Sequence, residues 1–153
     1  MRRKEKEITN RKDIDIILDE AEIIRVAMSV DNKPYIVCLN FGYDGKDIYF
    51  HSANEGQKLD MIKQNSNVCF QTEIGAKVVP SDTECDWTAK FKSVVGNGKA
   101  KIVEGLKDKQ KGLDVIMDKY APDKTFEYSD KVLKMVTLVK IEIDEIYGKK
   151  SKY

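Results

Sequence analysis

Apolar residues recur along this chain at two periods, and the places where the period changes divide it into elements. Ile14, Ile17, Leu18 and Ala21 fall on one face of a helix that Thr9 or Asn10 would cap. Residues 23–30, rich in isoleucine and valine, then predict a strand. The Asp-Asn-Lys-Pro run of 31–34 breaks it, and 35–43 predict its antiparallel partner. Asp44 and Gly45 close the next hairpin into 47–51, so three strands should form a meander at the front of the chain.

Beyond residue 51, Leu59, Met61 and Ile62 give a short helix its apolar side, Asn65, Ser66 and Asn67 end it, and 68–73 predict a strand. Residues 75–86, with Pro80, Ser81, Asp82 and Thr83, read as a long excursion. A strand over 88–103 is long enough to need a bend, which Gly96 and Gly98 would supply. Leu113, Ile116, Met117 and Tyr120 recur at helical spacing up to a stop at Pro122, and a weaker helical or irregular stretch follows. Residues 135–147 predict a closing strand, and the lysine-rich 148–153 a solvated tail. Six or seven strands of meander type with helices inserted at their ends predict a mainly antiparallel β class, a β-barrel with α-helices. No Gly-x-Gly-x-x-Gly or Walker loop is present, which argues against a dinucleotide fold or an ATPase.

The length of 153 residues suits one domain over 1–153. The charges, 27 basic against 26 acidic, balance, so no overall field draws in nucleic acid or a membrane, and the expected partner is a small molecule. No apolar run reaches membrane-span length and the first residues lack a signal-peptide core, so the expected location is cytoplasmic. Cys38, Cys69 and Cys85 are widely spaced and odd in number, which reads as reduced thiols and no metal site, with Cys38 as a small buried packing residue.

One corner carries more chemistry than the rest. The strand ending at His51, the only histidine, runs through Ser52, Ala53, Asn54 and Glu55 to Gly56 and Lys58 at the start of a helix. Free N–H groups and the positive dipole end of a helix attract phosphate, and Lys58 adds a counter-charge. Ser52 and Glu55 also match a Ser-x-x-Glu capping box, in which the serine serves the helix itself. For the corner, a lone histidine at a strand end is also read as an ordinary hydrogen-bonding group, and Lys58 as an exposed helix lysine.

Several ordered blocks resemble one family: Met1 to Lys4, whose first two residues lie outside those the structure describes, Arg25 to Met28, Pro34 to Tyr43, Tyr49 to Ala53 with Gly56 and Lys58, Cys85 to Thr88, and Ser93 to Ala100. The chain resembles the FMN-binding split-barrel proteins related to pyridoxamine 5′-phosphate oxidase, and within them the 5-nitroimidazole resistance reductases. The resemblance implies a homodimer with FMN held at the subunit interface. Val37, Cys38, Leu39 and Asn40 would run along the flavin ring, and His51, Ser52, Ala53, Gly56 and Lys58 would meet its phosphate. Trp87, Phe91, Lys92 and Ser93 would complete the pocket from the partner chain. Cys38 stands where the group commonly has proline, and Phe91 where it often has tyrosine.

The implied activity is electron transfer from a reduced donor, NADH or NADPH, through FMN to a small acceptor such as a nitroimidazole. No catalytic acid or base is nominated, because the flavin carries the redox chemistry. The alternative is a flavin-storage protein, or a split barrel that binds another cofactor such as haem in the same cleft.

Overall fold

The computed structural model describes residues 3–153. Asn10 opens the first helix, α1 (Arg11–Glu20), by accepting a hydrogen bond from the Lys12 N–H at 3.0 Å, and the helix buries Ile14, Ile17 and Leu18. Strand β2 (Ile24–Val30) alternates, with Ile24, Val26 and Met28 turned inward. The turn after it is tighter than the Asp-Asn-Lys-Pro run suggests. Asp31 and Asn32 both take positive φ, 51° and 60°, as a two-residue hairpin turn requires. Lys33 and Pro34 therefore belong to β3 (Lys33–Leu39), and proline is tolerated there because β3 is an edge strand. The predicted strand over 35–43 is broken at Asn40 and Phe41, after which β4 (Gly42–Tyr43) pairs with β5 (Asp47–Ser52).

Three long strands follow, β6 (Asn67–Val79), β7 (Thr88–Ile102) and β8 (Thr137–Ser151), and all the strand pairs are antiparallel, in the order β3-β2-β6-β7-β8-β5-β4, with the short β1 (Glu7–Ile8) on β8. This corrects the front meander, since β2, β6, β7 and β8 stand between β3 and β5. Yet the two ends of that order, β3 and β4, are joined through Asn40 and Phe41 alone. So short a link spans at most about 11 Å from Leu39 to Gly42, so the sheet must curl back on itself. The result is a mostly antiparallel barrel with helices, left open between β3 and β5: a split barrel.

The long hairpin of β6 (Asn67–Val79) and β7 (Thr88–Ile102) pairs out to Val79 and Thr88, so the expected excursion is strand over 75–79 and a loop over 80–86. The irregularity between Ile74 and Lys77, with Gly75 at φ 63°, hides its period. The bend expected at the glycines of β7 is a register shift between Asn97 and Gly98 against β8 (Thr137–Ser151). The expected solvated tail is strand as far as Ser151, because Gly148 packs on Ile8 and Ser151 is buried. Met135, read as strand, ends a helix, α4 (Asp130–Met135).

Inside the curl, α1 plugs the sheet and shares the main core with Phe41, Ile48, Phe50, Phe70 and Ile141. A second cluster, Leu113, Ile116, Leu133 and Leu138, joins α3 (Leu106–Tyr120) and α4 to the outside of β5 and β8. Helix α2 (Gln57–Gln64) packs on β2. Among the described residues no helix is long and apolar enough to cross a membrane.

Candidate functional site

The split has two lips. Strand β3 ends the sheet order, so one edge of its backbone is unpaired. Val37 and Leu39 pack against the core and fix the strand, whereas Cys38 and Asn40 are exposed. The expected burial of Cys38 is thus corrected: strand alternation puts it outward, and all three cysteines are exposed free thiols. On the other lip, β4 covers β5 only at Ile48 and Tyr49, which leaves Phe50, His51 and Ser52 without a partner on that edge.

The corner after β5 is built differently from the expected capping box. Ser52 is the last strand residue, buried and opposite Thr137, and the helix begins only at Gln57. A cap at Ser52 would need a helix that starts four residues earlier. Asn54 does the tethering instead, donating from Nδ2 to the Lys134 carbonyl at 2.8 Å and accepting from the Thr137 hydroxyl at 2.9 Å. Gly56 takes the N-cap position at φ 132°, open to a residue without Cβ, and no side chain caps the helix. The first intrahelical donors are Leu59 and Asp60, both to the Gly56 carbonyl, so the N–H groups of Gln57 and Lys58 are left for an outside acceptor. Lys58 is half-buried in the first turn of the helix, while His51, in the strand before it, and Ala53, in the connecting segment, are exposed. An uncapped helix start that carries a lysine in its first turn offers donors to a phosphate, and the free β3 edge offers them to the polar rim of a flat ring.

Trp87, Phe91, Lys92 and Ser93 lie elsewhere in the same chain. Ser93 pairs with Lys149 near one end of β8, and His51 with Leu138 near the other, roughly 35 Å apart along the strand. Trp87 is 55% exposed ahead of β7, Phe91 is half-buried with the Lys149 ammonium over its ring, and Ser93 is buried. Lys92 shares the inward face of Val94 and stacks on Tyr153. One chain therefore separates these residues from the His51 corner.

Two features gave no signal in the sequence. The link between the lips is clamped by the end of α3: the Tyr120 hydroxyl accepts from the Phe41 N–H at 3.0 Å and donates to the Glu22 carbonyl at 2.8 Å. Beside it, Lys119 places its ammonium 3.8 Å from the centre of the Phe41 ring and donates to the Leu18 carbonyl. Burial pushes the Lys119 amine down to about 8, partly opposed by Asp19. The second feature is the outer face of the sheet. Arg25 bonds both carboxylate oxygens of Glu73, at 3.0 and 2.9 Å, and sits among exposed Ile36, Val95 and Tyr147. Helical and strand periods report only which side a residue faces, not which far element meets it.

A family model described as pyridoxamine 5′-phosphate oxidase matches residues 10–150. A candidate 5-nitroimidazole antibiotic resistance protein from Bacteroides thetaiotaomicron is 32% identical, with a TM-score of 0.83, over 94% of this chain and 85% of that one. An FAD- and haem-binding protein from Mycobacterium smegmatis shares the fold at a TM-score of 0.88 and 20% identity, over 97% of this chain and 74% of that one. A flavocytochrome from Azotobacter vinelandii does so at a TM-score of 0.84 and 17% identity, over 96% and 70%. No curated protein sequence matches this chain.

Proposed function

The chain belongs to the pyridoxamine 5′-phosphate oxidase-like family, and from that premise we propose that it binds FMN and passes electrons from a reduced nicotinamide donor to a small acceptor such as a nitroimidazole. The observation that carries the reading is the split itself, with an unpaired strand edge on one lip and an uncapped helix start with Lys58 on the other. A bound flavin supplies the redox chemistry, accepting a hydride and releasing electrons to a second substrate.

The chain's own groups bind and orient. The N–H groups of Gln57 and Lys58, the Lys58 ammonium and His51 hold the phosphate end. The backbone of Val37, Cys38, Leu39 and Asn40 meets the ring edge, and Val37 and Leu39, anchored in the core, keep that edge in place. The separation of Trp87, Phe91 and Ser93 from this corner supports a homodimer, in which a second copy closes the pocket over the ring; Lys92, also expected there, is turned to the other face of β7, against Tyr153, and is left out of this reading. The outer face with Ile36, Val95 and Tyr147 is the surface on which the copies would pack.

The test is an absorption spectrum of the purified protein, with identification of whatever denaturation releases. Flavin bands and free FMN are expected, followed by NADH or NADPH oxidation when a nitroimidazole is added. Colourless protein that fails to take up added FMN, or a haem band in place of the flavin bands, would overturn the reading.

A further inference from the structure

Four lysines gather on one face at the far end of the β6–β7–β8 ladder. Lys77 stands directly opposite Lys90, and Lys92 directly opposite Lys150. Lys90 and Lys92 are two residues apart on one strand, so all four side chains share the face that carries Val94 into the core. Like charges directly opposite in a ladder are destabilising. Lys90, Lys92 and Lys150 are each partly buried, which raises that cost, and among the described residues none of the four has an ion-pair partner.

A cavity of about 470 Å³ lies elsewhere, against α3. The one here is about 420 Å³ and is walled by Lys92, Lys150 and Tyr153 on one side and by Thr9, Asn10, Glu7 and Asp13 on the other. Tyr153 lies across the lysines, its ring centre 4.2 Å from the Lys90 ammonium and 4.9 Å from that of Lys92. Gly75 makes room for it, since a Cβ there would meet the Tyr153 hydroxyl. Glu7 and Asp13 balance the two lysines that line the cavity, and the surplus of positive charge on the face is that of Lys77 and Lys90.

We propose that this face is a binding site for a small phosphate- or pyrophosphate-bearing anion, separate from the phosphate corner at Lys58. An anion between the paired lysines relieves both like-charge contacts at once and takes charge-assisted hydrogen bonds from two strands. The chemistry is shared by inorganic pyrophosphate and by the pyrophosphate of a dinucleotide, and the test separates them.

The experiment is thermal melting of the full chain at low salt with millimolar inorganic pyrophosphate, against sodium chloride at equal ionic strength. Pyrophosphate should raise the midpoint by about 3 °C or more beyond the chloride control. Lys92→Gln with Lys150→Gln should abolish that rise while leaving the unliganded midpoint at or above that of the parent, because the substitutions remove repulsion. Lys58→Gln should keep it. Repeating the titration with NADPH identifies an organic pyrophosphate if its rise is larger and is lost in the same double variant. A chloride control that reproduces the rise, or a double variant that retains it, overturns the proposal. So does a rise lost only in Lys58→Gln, which would assign the anion to the flavin corner.

Discussion

Lys119 sets a pH dependence that belongs to one residue. Its amine, held down to about 8 by burial, releases its proton in the folded chain while the unfolded chain still holds one up to the ordinary lysine range of about 10.4. The unfolded state then binds more protons between those values, so stability rises with pH across that window. The face of the Phe41 ring offsets part of the cost of the charged form below it. Chemical denaturation at pH 7.5 and 9.5 should show this gain in the parent and a smaller one in Lys119→Met, which keeps the packed stem and removes the titration. Equal gains in both proteins would discard the assignment. At the phosphate corner, Lys58→Ala is expected to weaken FMN binding about tenfold, the loss of one charge-assisted contact, with the melting midpoint of the flavin-free protein little changed. Unchanged affinity would return Lys58 to the status of a surface lysine.

Elements meet in this fold where glycine lets backbones touch, and that closeness is open to a direct test. Strand β4 lies against α3 at Gly42, where a Cβ would come within 2.5 Å of the Val115 carbonyl oxygen and 2.7 Å of the Ile116 nitrogen. Neither backbone atom can move aside without displacing the helix, so Gly42→Ala should destabilise by about 2–4 kcal/mol in denaturant unfolding. A loss under about 0.5 kcal/mol would mean that α3 is not docked so closely. The elements themselves were largely legible. The Ile14, Ile17, Leu18 face of α1 and its Asn10 cap, and the bend at Gly98, stand where the pattern put them. The corner was legible as a strand-to-helix junction but not in its detail. The Ser52–Glu55 spacing satisfies a local motif, whereas pairing with Thr137 holds Ser52 in the strand and moves the helix start to Gln57. In the same way the bulge after Ile74 broke the period of β6 and made a paired strand read as a loop.

At the scale of the whole molecule, the proposed dimer makes the sharpest demand. Light scattering should give about twice the 17.5 kDa mass of the chain. Ile36→Asp with Val95→Asp, which places charge on the exposed outer face, should give a folded monomer that loses FMN. A double variant that stays dimeric moves the interface elsewhere, and a monomer that keeps full FMN affinity confines the site to one chain. The sequence by itself determined the class of the fold and most of its elements, because burial periods, caps and turn residues act over a few neighbouring positions. It also marked the strand-to-helix corner at which a phosphate is proposed to bind, since its residues are contiguous. Tertiary structure alone decided that β3 and β5 lie across an open split and not side by side, that Lys119 and Tyr120 clamp its joint, and that Lys77, Lys90, Lys92 and Lys150 face one another. Each of these depends on which distant strand takes a free edge, a choice set by the packing of the whole chain.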